Sequence, residues 1–117
     1  HWGDVNADHR KVAEAVEAAI RPLPGVSVQK ALSFEVPSST EWNFAKRKRV
    51  FSPNTFQQIS NRHLAKKLAA LRAYAAEMRP FPHPRSQEYV KALARVRGGQ
   101  SGFKLAEAFE LIYSRGH

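Results

Sequence analysis

The sequence predicts an α/β fold, because segments with the two-residue period of a strand alternate along the chain with segments that have the period of a helix. The chain has 117 residues, of which 43% are hydrophobic, and this is enough for one domain with a modest core. No internal repeat or linker-like stretch interrupts it. We therefore expect residues 1–117 to form one α/β domain.

The first part of the chain predicts one helix and one strand. The helix covers residues 10–21, with Asp8 as its N-cap and His9 on its inward side. Its apolar residues recur every four positions: Val12, Val16 and Ile20. From Val26 the period changes to two, which predicts a half-buried strand that ends at Pro37. The apolar face expected to point inward is Val26, Val28, Leu32, Phe34 and Val36.

A second strand and a second helix are predicted next. The strand is expected over residues 50–56, and Pro53 either weakens it or places it at a sheet edge, because proline cannot donate to a ladder. The helix begins at Ser60 or Asn61 and continues to Met78, with leucines at spacings of three and four. Three alternating prolines then predict an extended connector: Pro80, Pro82 and Pro84.

The last part of the chain predicts a third helix and a strand. Ser86 is a suitable N-cap, and the pair Gly98–Gly99 is expected to end the helix. The segment 105–113 fits either a helix or a strand by periodicity. The aromatic and β-branched residues near its end favour the strand.

The charge of the chain is strongly basic, at +9 with a sequence pI of about 10.4. Such a balance admits nucleic acid, anionic membranes or phosphorylated substrates as partners. The densest stretch is Lys46-Arg47-Lys48-Arg49, and four more basic residues follow it in a helix: Arg62, Lys66, Lys67 and Arg72. We favour a solvated loop and a solvated helix face, because long basic side chains usually lie in water.

Cysteine is absent, which excludes disulfides, thiolate metal sites and thiol nucleophiles. The absence suits the cytoplasm, where we expect this protein to be located. We find no signal peptide and no apolar run long enough to span a membrane. Because the chain begins at His1 without an initiator Met, we expect it to be a fragment or a processed product.

The best candidate for a metal site is the segment Asp4-Val5-Asn6-Ala7-Asp8-His9. A neutral imidazole binds metals, and a nearby carboxylate can orient its ring and raise its basicity. A zinc centre needs three or four donors, however, and this sequence offers one well-placed histidine, His9. His1 could lie along the same wall. The alternative is a capped helix start with a histidine that binds no metal.

The second candidate is the segment Arg79-Pro80-Phe81-Pro82-His83-Pro84-Arg85-Ser86. Alternating prolines make it stiff and fix the directions of His83 and Arg85. Preorganised histidine and arginine side chains suit proton transfer and the recognition of an oxyanion or hydroxyl. The alternative, which the residues alone favour, is a rigid connector whose polar groups satisfy the backbone. His63, expected to be exposed, and His117, at the terminus, are weaker candidates.

Three stretches together resemble the C-terminal half of the LmbE/PIG-L family of zinc-dependent N-deacetylases. The first, Asp4 to Arg10, is similar to the family's Asp-x-Asn/His-x-Asp-His-Arg segment, which leads into a helix. The second is Arg79 to Ser86, and the third is Arg97 to Gly102 followed by Ala106 to Glu110. Their order and separation agree with the family from His1 to about Ile112.

The resemblance implies a Rossmann-like three-layer α/β/α domain, of which this chain is the C-terminal portion. It implies one zinc, bound by His9 and by a histidine and an aspartate of an N-terminal His-Pro-Asp-Asp-Glu motif. Zinc lowers the pKa of a bound water and polarises the acetamide carbonyl. The substrates implied are N-acetylated amino sugars in glycolipids, thiol-sugar precursors, glycopeptide antibiotics or sugar conjugates.

The resemblance also assigns roles to further residues of this chain. Asp8 is the carboxylate expected to orient His9, and His83 is the second residue expected to act in catalysis. The residues expected at the substrate are Arg85, Asp4 and Asn6.

Two departures from the family pattern shape the prediction. The His-Pro-Asp-Asp-Glu motif is absent, so two zinc ligands and the general base are missing from this sequence. Asn6 stands where many members have a histidine that is a candidate general acid. We therefore expect the C-terminal part of a sugar N-deacetylase, completed by a missing N-terminal segment or a second chain. We expect the protein to form a homo-oligomer. We expect this chain alone to bind zinc weakly and to be inactive.

Two other functions remain open. One is a non-catalytic scaffold that has the deacetylase fold without its metal. The other is a basic nucleic-acid-binding module that uses Lys46 to Arg49 and the Arg62/Lys66/Lys67 face, with affinity that falls steeply as salt rises. We expect no nucleic acid, because aromatic residues only flank the basic run and because this function leaves the proline-rich segment unexplained.

Overall fold

The structure is a computed structural model that describes residues 1–45 and 47–116, without the side chain of Arg47. Its helices and strands follow one another as α1 (Ala7–Ala19), β1 (Lys30–Phe34), a 3-10 turn (Arg47–Arg49), β2 (Thr55–Gln58), α2 (Asn61–Ala73), α3 (Gln87–Ser101) and β3 (Ala106–Ser114). This combination of helices and strands confirms the predicted α/β class. Among the described residues, no helix is both long and apolar enough to cross a membrane.

The three strands form one antiparallel sheet in the order β1-β3-β2. Strand β3 lies in the centre, so the prediction of a strand in the tail is confirmed. It pairs with β1 in a register that places Leu32 opposite Leu111 and Phe34 opposite Phe109. Strand β2 lies at the edge, as predicted for the strand near Pro53, but it begins at Thr55.

The chain divides into two compact units. Unit 1 contains residues 1–55 and the chain from Phe109 onward, and unit 2 contains residues 56–108. The two units differ in what they bury. The buried hydrophobic residues belong to unit 2: Leu68, Val90, Ala94, Leu105, Ala106 and Ala108. The buried polar residues of unit 1 are His1, Asp4, Ser33, Ser38, Ser39 and Thr40.

Helix α1 of unit 1 begins earlier than predicted, and its N-cap is Asn6, not Asp8. The Asn6 side-chain oxygen accepts the backbone N–H groups of Asp8 at 2.9 Å and His9 at 3.4 Å. Asparagine is among the best N-cap residues because its short side chain reaches these otherwise unsatisfied donors. The helix has no buried residue, and Val12 is 63% exposed. The predicted inward apolar face is therefore an exposed face.

Strand β1 is shorter than predicted and turns the opposite face inward. Ser33 is buried, whereas Leu32 is 38% and Phe34 is 58% exposed. Alternation fixes which residues share a face, but it does not say which face the remaining chain covers. Here Leu32 and Phe34 share their face with the β3 residues opposite them, Leu111 and Phe109, and these side chains form an apolar sheet face.

Helix α2 of unit 2 begins where it was predicted to begin but ends earlier in the chain than predicted. Ser60 caps it, and the ring of His63 closes a capping box by accepting the Ser60 N–H at 3.2 Å. The helix ends at Ala73, and turns follow instead of helix up to Met78. The proline-rich connector is not extended, because it closes on itself. The Arg79 N–H donates to the carbonyl of Arg85 at 3.3 Å.

Helix α3 runs through the predicted glycine terminus and ends at Ser101. Gly98 is buried inside the helix, and a Cβ there would lie 2.7 Å from the carbonyl oxygen of Phe103. Gly98 is therefore required for close packing. The residue that ends the helix is Gly102, whose φ of 76° lies in the left-handed region that glycine adopts without strain.

The two adjacent glycines provide a matched pair of substitutions. We expect Gly98→Ala to destabilise the chain by about 1–3 kcal/mol, because the added methyl group meets backbone atoms of Phe103 and Lys104. Gly99→Ala meets nothing within 4 Å and should stabilise the chain by about 0.5–1 kcal/mol through helix propensity. Urea unfolding of both variants measures these changes. Equal effects of the two substitutions would contradict the packing described for Gly98.

Candidate functional site

Asp4 is the centre of the candidate site, and its side chain is fully buried. A tight turn carries it, in which the Asp4 N–H donates to the carbonyl of His1 at 3.2 Å. Arg10, in the first turns of α1, reaches back and donates to the carbonyls of Asp4 at 2.8 Å and Val5 at 2.7 Å. These bonds attach the turn to the start of the helix.

Both oxygens of the Asp4 carboxylate have partners. Oδ1 accepts the hydroxyl of Thr40 at 2.7 Å, and Oδ2 lies 2.9 Å from Nδ1 of His9. A buried carboxylate is very unfavourable unless it is hydrogen-bonded, and these contacts supply a hydrogen bond to each of its oxygens.

Of the two ring nitrogens of His9, Nδ1 therefore contacts Asp4 and Nε2 does not. A carboxylate only accepts hydrogen bonds, so the proton of the neutral ring lies on Nδ1 and Nε2 carries the lone pair. Among the residues that the structure describes, Nε2 has no hydrogen-bond partner. The side chain is half-buried, with 32% of its surface exposed. A carboxylate on one nitrogen and a free lone pair on the other is the arrangement of metal-binding histidines.

The carboxylate that orients His9 is that of Asp4, and the role predicted for Asp8 is corrected accordingly. Adjacent residues on a helix point about 100° apart, so Asp8 and His9 do not face each other. Asp4 precedes the helix, and the turn folds it back under the ring. Asp8 is exposed in the first helical turn, and Asn6, predicted at the substrate, caps the helix.

His83 and Arg85, the other predicted site residues, belong to unit 2. The backbone N–H of Arg85 donates to Nδ1 of His83 at 3.0 Å, so the proton of the neutral ring lies on Nε2. The guanidinium of Arg85 pairs with Glu77 at 2.6 Å. Both side chains are half-buried in a loop closed by its own hydrogen bonds.

Among the described residues, His1 and Arg49 of the basic run have partners within the protein. His1 is buried, with Nε2 at 2.8 Å from the Arg49 carbonyl oxygen and Nδ1 at 3.2 Å from Glu110. The guanidinium of Arg49 stacks over the ring of Trp2 at 4.9 Å. Lys46 of the basic run lies outside the described residues, and so does His117.

Sequence reasoning missed Thr40 and the loop that carries it. Pro37-Ser38-Ser39-Thr40 has the composition of an ordinary polar loop, yet three of its residues are buried. No pattern in the sequence indicates this, because the partner of Thr40 is 36 residues away.

Across residues 1–45 and 47–116, no group of three or more histidine, cysteine, aspartate or glutamate side chains is arranged to hold a metal ion. Comparisons with protein-family models, with curated proteins and with solved structures found no match to this chain. The resemblance to the LmbE/PIG-L family therefore stays a prediction from its motifs.

The site predicts opposite tautomers for two histidines in their neutral form. His9 should carry its proton on Nδ1, where it faces Asp4, and His83 on Nε2, because its Nδ1 accepts a backbone N–H. Long-range proton–nitrogen NMR spectra at alkaline pH distinguish the two forms. The same tautomer for both rings would contradict this geometry.

Two matched substitutions identify the carboxylate that orients His9. In Asp4→Asn the amide nitrogen is expected to face the ring, because Thr40 donates to the other oxygen position. That N–H group requires an acceptor, so the proton of His9 should move to Nε2. Asp8→Asn should leave the tautomer on Nδ1. A tautomer that changes with Asp8 and not with Asp4 would reverse the assignment.

Proposed function

We propose that this chain is the C-terminal part of a zinc-dependent hydrolase that removes the N-acetyl group from an amino sugar or a sugar conjugate, with His9 as one of the zinc ligands. In this proposal the chain belongs to a Rossmann-like three-layer α/β/α domain of the LmbE/PIG-L type. The cytoplasmic location and the homo-oligomer expected from the sequence stay predictions.

The observation that carries the proposal is the contact between buried Asp4 and half-buried His9. Zinc-binding histidines almost always donate their second ring N–H to a carboxylate or carbonyl, which fixes the tautomer and raises the basicity of the ligating nitrogen. The 2.9 Å contact of Nδ1 with Asp4 has this form, and it leaves Nε2 available. The residues present therefore fit one ligand of a zinc site.

Further ligands are required, because a zinc site takes three or four donors. The resemblance assigns them to the His-Pro-Asp-Asp-Glu motif, which is not in this sequence. When bound, zinc supplies a Lewis acid that polarises the carbonyl and activates water. The contribution of this chain is to hold Nε2 of His9 in place, with Asp4 fixing the ring from behind.

Asn6 limits what this chain can do for the leaving amine. Its amide has no titratable proton near neutral pH, and its oxygen already caps α1. The protonation of the amine must therefore come from another residue. Asp8 is exposed in the first turn of α1, and the substrate roles of His83 and Arg85 stay predictions from the resemblance.

The test uses the protein expressed from its complete gene. We expect His9→Ala to lose stoichiometric zinc and the deacetylation of N-acetylated amino sugars together, because a ligand is removed. His63→Ala is the control, since its ring only closes the capping box of α2, and zinc and activity should be retained. Metal analysis and acetate release measure the two properties.

Two results would count against the proposal. Unchanged zinc content in His9→Ala would remove the ligand assignment. A complete gene without a second set of histidine and acidic ligands upstream would leave His9 without partners, and the non-catalytic scaffold would then be favoured.

A further inference from the structure

The loop Val36–Thr40 is unusual because it buries a run of polar residues. Ser38, Ser39 and Thr40 are all buried, although serine and threonine are mostly found at the surface. The loop closes on itself, since the backbone N–H groups of Ser39 and Thr40 both donate to the Val36 carbonyl at 3.0 Å. Ser38 has a φ of 71°, a conformation that is rarely adopted by residues other than glycine. Such a conformation persists where surrounding contacts hold it.

The direction of each hydrogen bond in this loop is fixed by chemistry. The Val36 N–H donates to the hydroxyl oxygen of Thr40 at 2.8 Å, since a backbone N–H can only donate a hydrogen bond. The oxygen of Thr40 is the acceptor there, so its one proton remains for Oδ1 of Asp4 at 2.7 Å. The carboxylate then accepts at Oδ1 and presents Oδ2 to Nδ1 of His9.

We infer that Thr40 is a positioning residue that sets the ligand atom of His9. Its hydroxyl fixes the rotation of the Asp4 carboxylate, and the carboxylate in turn holds the His9 proton on Nδ1 and the lone pair on Nε2. The effect on the tautomer needs no metal, whereas the effect on metal binding rests on the proposed function.

A second contact makes the same loop hold the backbone of the site. Val5 directly follows Asp4 in the chain, and its N–H donates to the carbonyl of Ser39 at 3.0 Å. The loop therefore fixes the turn through Ser39 and the carboxylate through Thr40. These two functions can be separated by substitution, because the Ser39 contact uses only main-chain atoms.

The test compares Thr40→Val, which has the same shape without a hydroxyl, with Thr40→Ser, which retains the hydroxyl. In the metal-free chain, Thr40→Val should convert His9 from the Nδ1–H form to a mixture of both neutral tautomers in NMR spectra. Thr40→Ser should retain the Nδ1–H form. Ser39→Ala removes a buried hydroxyl from the same loop and should also retain it, so it controls for general loosening of the loop.

Zinc affinity gives a second readout in the protein from the complete gene. Thr40→Val should weaken zinc binding by about 10–100-fold, the usual effect of losing an outer contact to a ligand. Thr40→Ser and Ser39→Ala should stay close to the parent affinity. If Thr40→Val does not fold, the parent chain still provides a test. Its Thr40 hydroxyl proton should exchange slowly enough with water to be observed by NMR, because it is buried and bonded to Asp4.

The outcomes separate this inference from the proposed function. An unchanged tautomer in folded Thr40→Val, or the same change in Ser39→Ala, would overturn the role of Thr40. So would a rapidly exchanging hydroxyl in the parent chain. A tautomer that responds as expected in a protein whose complete form binds no zinc would support the positioning role and reject the deacetylase.

Discussion

The buried carboxylate of Asp4 is the constraint on which the structure of unit 1 depends. A carboxylate taken fully out of water must be hydrogen-bonded, and here each of its two oxygens has a different partner. Its partners come from two distant parts of the chain, the first turn of α1 and the loop that ends at Thr40. The turn of residues 1–5, the start of the helix and this loop are therefore held together by polar contacts. An apolar residue at position 4 would remove the side-chain contacts with Thr40 and His9 and leave only the contacts to main-chain atoms.

This constraint explains why the two units are built differently. Unit 2 has a conventional interior, in which small and branched apolar residues of α2, α3 and the adjoining strand are buried. Unit 1 buries polar side chains around Asp4 and leaves apolar ones exposed on α1 and on one face of β1. The order within unit 1 comes from directional hydrogen bonds, which fix angles as well as distances. Directional bonds suit a site in which one ring nitrogen must point in a set direction.

The geometry of His9 follows from this arrangement and is independent of any assignment of activity. One nitrogen is bound from behind by an acceptor, and the other carries a lone pair and faces away from it. Such a ring is prepared to bind an electrophile, and a metal ion is the common one. His83 is held in the opposite way, since a backbone donor occupies its Nδ1 and places the proton of the neutral ring on Nε2. Two histidines of one chain thus have different chemical characters because different local partners hold them.

The sequence by itself determined the α/β class, the approximate positions of three helices and the strand character of the tail, because periodicity and capping are local properties. It also singled out His9 and the segment before it. It misjudged which face of β1 points inward, where α3 ends and which aspartate orients the histidine. Two of these depended on distant partners: Glu110 and Phe109 of β3 for β1, and Thr40 for Asp4. The third, the end of α3, depended on how closely the chain after α3 approaches Gly98. Only the tertiary structure decided them, since a spacing along the chain does not record what folds back against a side chain.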